Sequence, residues 1–230
     1  MRRLGLLGGM AWPSTLAAYR LLNENVQSRL GGLHSAPLII WSVDFAEIER
    51  LQSAGDWEAA GGLLVEAAVA LRAAGAEGLM LCTNTMHRVA DAIETAVDIP
   101  LLHIADATAA RIQADGIGRV GLLGTRFTME QSFYTGRLQD RGLEVLVPPH
   151  PQRERVHRII YDELVHGHLH DASREIYLEV IAGLIARGAG AIIAGCTEIE
   201  LLVTPADVEV PYYATTAIHT QAASDWILDG

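Results

Sequence analysis

The chain repeats itself at one coarse spacing. Gly5-Leu6-Leu7-Gly8-Gly9 returns as Gly121-Leu122-Leu123-Gly124-Thr125, about 115 residues later. Ala74-Gly75-Ala76, an apolar run and Cys82-Thr83-Asn84 return as Arg187-Gly188-Ala189, an apolar run and Cys196-Thr197-Glu198. Short apolar runs alternate with longer helical stretches, the pattern of βαβ units in a parallel sheet. Strands are expected at 4–7, 38–43, 78–82, 101–104, 119–123, 143–147 and 191–195. Helices are expected at about 14–30, 57–74, 84–96, 129–141, 153–166 and 172–187, and from 216 onward. Asp56 suits the start of the second helix and Gly75 its end. The reading is an α/β fold of two pseudo-symmetric lobes, each a mainly parallel sheet flanked by helices. The lobes are assigned to 1–104 plus 212–230 and to 105–211. Ligands of such sheets sit at the carboxyl ends of the strands. The four echoed loops are therefore expected to ring one active site in a cleft between the lobes.

Composition narrows the chemistry. All 17 basic residues are Arg, and Lys is absent. Without Lys there is no Schiff base to pyridoxal phosphate, no Walker-type phosphate lysine and no lysine general base. A net charge of −11 disfavours nucleic acid and anionic membrane surfaces as partners. The two cysteines, Cys82 and Cys196, cannot make a disulfide framework and suit a reducing, cytoplasmic compartment. No apolar run reaches membrane-spanning length. Arg2-Arg3 ahead of residues 4–12 has some likeness to a short signal sequence, but its glycines and Pro13 read better as a buried strand and loop.

The loops supply Cys82, Thr83, Asn84 and Thr85 from one half, and Thr125, Cys196, Thr197 and Glu198 from the other. At strand-to-helix turns, backbone N–H groups and the helix dipole favour an anion such as a carboxylate and lower the pKa of a thiol. One acid/base group per lobe can remove a proton from one face of a carbon and return one to the other.

Gly8-Gly9-Met10, Cys82-Thr83-Asn84-Thr85-Met86-His87 and Gly195-Cys196-Thr197-Glu198 resemble the aspartate/glutamate racemase family. Gly31-Gly32-Leu33-His34-Ser35, Ser42-Val43-Asp44-Phe45 and the stretch from Leu102 to Thr108 resemble its branch with a Thr–Cys pair. The resemblance implies two like α/β lobes, a homodimer, and racemisation of Asp or Glu without a cofactor or metal. Cys82 and Cys196 look like the acid/base pair, but the family motif Cys-Asn-Thr-x-His, laid on Asn84-Thr85-Met86-His87, puts its catalytic position at Thr83. Matching Gly75-Ala76 to Gly188-Ala189 also sets Thr83 opposite Cys196. A one-residue shift along a strand turns a side chain to the other face, so Cys82 is expected in the sheet packing. Strand ends bend, which keeps Cys82 as the alternative. Cys196 would then take the α-proton of one enantiomer. Thr83, a far weaker acid, would return one directly or through water. Asn84, Thr85 and Thr197 suit the α-carboxylate, and Thr125, Thr128 and Glu198 lie on the matching loops of the second lobe. Met10 and Gln52 are placed at the mouth by resemblance. Arg50 and Arg126 are the cations near the motifs for a side-chain carboxylate. Some family members carry Lys where this chain has His166.

Other signals are weaker. His166, His168 and His170 read as a solvated turn, and His87 as a residue capping or lining the site. The Gly5 loop lacks the order of a dinucleotide fingerprint. Two rival readings remain: a decarboxylase or isomerase of a small dicarboxylic acid on the same scaffold, and an amino-acid-binding protein with weak catalysis.

Overall fold

The computed structural model describes residues 1–229, which divide into two compact units. The N-terminal unit comprises Met1–Ile104 and the chain from His219 onward; the C-terminal unit is Ala105–Ile218.

In the N-terminal unit, β1 (Leu4–Gly8), β2 (Leu38–Ser42), β3 (Gly78–Leu81) and β4 (Leu101–Leu102) form a parallel sheet in the order β2-β1-β3-β4. Its helices are α1 (Trp12–Leu30), α2 (Phe45–Ala54), α3 (Trp57–Ala73) and α4 (Ala90–Ala96), with a 3-10 segment at Thr85–Val89. Leu4, Leu6, Met80 and Cys82 join one cluster with Ala18, Leu22 and Val26 of α1. Leu7, Leu79 and Leu81 join another with Ile48 of α2, Leu64 and Leu71 of α3 and Ile93 of α4. Both faces are covered, which is why β1 and β3 read as unbroken apolar runs.

In the C-terminal unit, β5 (Arg119–Gly124), β6 (Glu144–Leu146), β7 (Ile192–Gly195) and β8 (Tyr212–Ala214) are again all parallel, in the order β6-β5-β7-β8. Around them run α5 (Ile104–Ala114), α6 (Arg126–Glu130), α7 (Ser132–Asp140), α8 (His150–Asp162), α9 (Asp171–Ala186) and α10 (Thr197–Leu202). The final helix, α11 (Thr215–Leu228), begins in this unit and continues into the other, where Ala223 and Ile227 complete the α1 cluster.

The echoed glycines have a packing cause. A Cβ at Gly5 would lie 3.3 Å from Leu71 Cβ of α3 and 3.0 Å from Ala76 Cβ. A Cβ at Gly121 would lie 3.2 Å from Leu184 Cβ of α9. In both units the helix preceding the third strand rests on the backbone of the first strand, and only Gly leaves room for it.

Three differences from the sequence expectations stand out. The return to the N-terminal unit falls at His219, not at residue 212, because Tyr212–Ala214 pairs with Ile192–Ala194 of β7 as a fourth strand. Helices α2 and α5 were not anticipated, and the helix implied after Cys196 is only the six-residue α10. Asp44 caps α2 by accepting from Ala46 N at 3.1 Å, and α5 begins at Ile104, inside the stretch read as strand. The expected helix at 129–141 is two shorter ones, α6 and α7.

A buried cluster of His87, His103 and His219 ties the 3-10 segment, β4 and α11 together, with the His87 ring 4.4 Å from His103 and 5.8 Å from His219. Ile104 N donates to His87 Nε2 at 3.2 Å, so the proton sits on Nδ1, which donates to the Thr83 carbonyl at 2.8 Å. His219 Nε2 donates to the Leu102 carbonyl at 2.6 Å. Burial, then repulsion by the other two rings, pushes the His87 pKa well below 6.5; burial pushes that of His219 to about 4. Both rings are neutral in the fold and take up protons more readily when unfolded.

Two measurements follow. Gly121→Val should lower stability by about 1–3 kcal/mol through overpacking against Leu184, read as a shift in denaturant midpoint. Stability should also fall as pH drops from 6.5 toward 4, by up to about 1.4 kcal/mol per pH unit for each histidine kept neutral. His219→Gln should lose less between pH 7.5 and pH 5 than the parent chain; equal losses would remove the cause given.

Candidate functional site

Strand register fixes which residues correspond in the two units. Leu7 of β1 lies beside Leu81 of β3, and Leu123 of β5 beside Ala194 of β7. The echo equates Leu7 with Leu123, so Leu81 matches Ala194, Cys82 matches Gly195, and Thr83 matches Cys196. Thr83 and Cys196 are both partly exposed, whereas Cys82 is buried. Cys82 follows Met80 into the cluster with Leu6 and with Leu22 of α1, and burial pushes its thiol pKa up to about 12. It behaves there as a small core hydrophobe.

Cys196 precedes α10, and its Sγ–H donates to Glu198 Oε2 at 2.8 Å. Its pKa is well above the ordinary thiol value, through burial first and then the negative charge and hydrogen bond of Glu198. The sequence expectation of a thiol pKa lowered by a helix start is corrected here. α10 has six residues, too few to build a strong dipole, and carries Glu198 and Glu200 in its first turn. The segment after Thr83 is likewise a single 3-10 stretch of five residues.

Thr83 is set by its backbone, since its carbonyl accepts from His87 Nδ1. Asn84 and Thr85 follow, 4% and 5% exposed. Thr125 caps α6 by accepting from Thr128 N at 3.3 Å, and its hydroxyl lies 3.2 Å from that of Thr128. Met10 and Gln52, expected at a mouth, are each 4% exposed. Met10 is held in the cluster with Ile48 and Leu51, and Gln52 Nε2 donates to Met86 Sδ at 2.9 Å. Arg50 is on the exposed side of α2, and Arg126 pairs with Glu154 at 3.4 Å. His166, His168 and His170 run from a 3-10 turn into the start of α9, with successive rings 6.2 Å apart. Among the described residues no group of His, Cys, Asp and Glu is arranged to hold a metal, and no helix is long and apolar enough to cross a membrane.

Two residues of this neighbourhood escaped the sequence reading. Glu200, on α10, accepts from Thr216 N at 3.3 Å, and burial raises its pKa to about 7 against the lowering effect of Thr216. Thr216, 7% exposed, places its hydroxyl 3.0 Å from that of Thr197. The available signal was the alternation of Glu198 and Glu200 after Cys196, but only the fold brings Thr216 to them.

Comparison with known proteins shows the family. A Yersinia pestis structure assigned to an Asp/Glu racemase is 56% identical, with a TM-score of 0.93, covering 99% of this chain and 100% of that one. An aspartate racemase homologue from Pyrococcus horikoshii OT3 is 34% identical, with a TM-score of 0.86 over 99% and 100% of the two chains. The broad specificity amino-acid racemase RacX of Bacillus subtilis is 26% identical over 154 residues, 67% of this chain and 66% of that relative's length. The profile of the Asp/Glu/Hydantoin racemases matches residues 7–223, and the chain belongs to that family.

Proposed function

We propose that the protein interconverts the enantiomers of an acidic amino acid, aspartate or glutamate, by exchange of the α-proton without pyridoxal phosphate. The observation that carries this reading is the register match of Thr83 with Cys196, one residue beyond twin strand ends, with Cys82 turned into the core. Relatives named as racemases of amino acids and of aspartate support the substrate class. The chain has no Lys to form a Schiff base, so an α-carbanion must be met by acid/base groups and hydrogen bonds alone.

Cys196 is the group that exchanges the α-proton. At rest it is a thiol donating to Glu198. Transfer of that proton to the Glu198 carboxylate leaves a thiolate, which takes the proton from Cα and is a thiol again. Thr83 gives its hydroxyl proton to the opposite face of Cα, directly or through water, and the proton left on Glu198 returns through solvent to replace it. As a far weaker acid than a thiol, Thr83 makes the two directions unequal. Asn84, Thr85, Thr125 and Thr128 supply neutral donors for the carboxylates. The same reading takes the protein as a cytoplasmic homodimer.

Deuterium wash-in at Cα, followed by proton NMR separately from L- and D-aspartate and from L- and D-glutamate, tests the function. Label should enter without net consumption of amino acid; consumption with release of CO2 would point to a decarboxylase instead. Cys196→Ala should lower exchange by about 10²–10⁴-fold. Thr83→Ala should abolish racemisation while wash-in from one enantiomer survives, and parent-like rates in Cys196→Ala would sink the assignment. Alkylation separates the cysteines. Iodoacetamide should modify the partly exposed Cys196 in the native protein more slowly than an ordinary exposed thiol, because its proton is held, and reach Cys82 only on unfolding; Cys82→Ala should keep racemase activity within about threefold because the thiol is core packing.

A further inference from the structure

Beside Cys196 runs a hydrogen-bonded chain that ends in a carboxyl group. Thr197 Oγ1 and Thr216 Oγ1 are 3.0 Å apart, and the Thr216 N–H donates to Glu200 Oε1 at 3.3 Å. The Thr216 hydroxyl also hydrogen-bonds the Glu200 side chain. Each hydroxyl has one proton, so the direction of donation along the chain is set at its end. When Glu200 is a carboxylate it can only accept. Thr216 then donates to Glu200, Thr197 donates to Thr216, and the Thr197 oxygen is left with lone pairs alone. When Glu200 is protonated it can donate to Thr216, the order reverses, and Thr197 turns its proton outward.

Resting on the racemase reading above, we infer that Glu200 is a positioning residue which sets, through Thr216, whether Thr197 presents a lone pair or a proton next to Cys196. With Glu200 ionised, the Thr197 oxygen accepts from the α-ammonium of the substrate. With Glu200 protonated, Thr197 offers that ammonium a donor, and binding weakens. The titratable groups facing Glu200 are Tyr134 of α7, Tyr212 of β8, Glu198 of α10 and Cys196 at the start of α10. Burial raises the pKa of Tyr134 and of Tyr212 well above the ordinary phenol value, so neither ionises in the working range. Cys196 likewise stays a thiol at rest. Glu198 is the neighbour whose negative charge also raises Glu200.

The sign is fixed by a carboxyl titrating near neutrality: the amino-acid-binding state is present above about pH 7 and is lost as pH falls through that value. Calorimetric dissociation constants between pH 5.5 and 8.5 test it, with aspartate as one probe and succinate, which lacks the ammonium, as the other. Aspartate should bind about tenfold more weakly at pH 6 than at pH 7.5, with succinate flat over the same range. Glu200→Gln and Thr216→Val should each flatten the aspartate profile to within about twofold, and the double variant should add nothing further. The infrared carboxyl band lost in Glu200→Gln should titrate near pH 7 in the parent protein and at higher pH in Thr216→Val, a readout that needs no turnover. A limb that survives in both variants, or an equal limb for succinate, overturns the inference. Loss of stability in the variants with the limb retained assigns them a merely structural role and overturns it too. A protein that shows the limb in binding but racemises neither aspartate nor glutamate overturns the racemase reading instead. Racemisation with a flat aspartate profile overturns the relay alone.

Discussion

The close approach of one helix to one strand backbone, made twice, is the constraint from which the rest follows. α3 rests on Gly5 and α9 on Gly121, with the would-be Cβ atoms 3.3 and 3.2 Å from the nearest leucine Cβ. Each helix feeds directly into the third strand of its sheet, β3 or β7, which pairs parallel to the first. Fixing helix against strand therefore fixes the register of the pair and with it the residue that emerges past the strand end. Thr83 and Cys196 correspond because Gly5 and Gly121 correspond. A bulkier residue at either glycine would push the helix outward and move the loop that carries Thr83 or Cys196.

Past the strand ends the two units diverge. In the N-terminal unit Thr83 is gripped from behind by His87, whose other nitrogen is held by the Ile104 N–H, so this loop is anchored by a ring that stays neutral. In the C-terminal unit Cys196 lies near the carboxyl groups of Glu198 and Glu200, and its thiol is a hydrogen-bond donor at rest. One loop is anchored through its backbone, and the other carries a thiol hydrogen-bonded to a carboxylate. This accords with a threonine on one side and a cysteine on the other, since a hydroxyl needs placement to serve as a donor, whereas a thiol needs somewhere to send its proton.

Much of this architecture was legible in the sequence because it is periodic or local. Apolar runs at the repeat spacing gave the two sheets, and the glycine echo gave the alignment that separates Thr83 from Cys82. The parity of Met80 and Cys82 against Leu79 and Leu81 is a property of any strand, and the burial of Cys82 follows from it. What escaped was short or long-range. β8 has three residues between Pro211 and α11, too few to show alternation. α10 has six, too few for a helical face. Met10 and Gln52 belong to motifs, yet their burial depends on α2 folding over β1, which no local pattern records. Thr216 reaches Glu200 only because α11 starts beside α10, a contact between residues 16 apart.

The thiol pKa shows most plainly why residue type and loop position were insufficient. A cysteine at a strand-to-helix turn is ordinarily expected to be acidified by the helix start. Here α10 is short and opens with acidic side chains, and the nearest partner of the sulfur is a carboxylate. Burial and negative charge act in the same direction and hold the proton on sulfur. In the proposed racemisation, a resting thiolate in a chain of net charge −11 would add another anion where the two carboxylates of the substrate arrive. Keeping the thiol protonated until the substrate's ammonium is in place would reverse that order, because a cation beside the sulfur lowers the cost of ionising it. The raised pKa is thus consistent with proton abstraction provided the thiolate forms after binding, with Glu198 as the acceptor within reach.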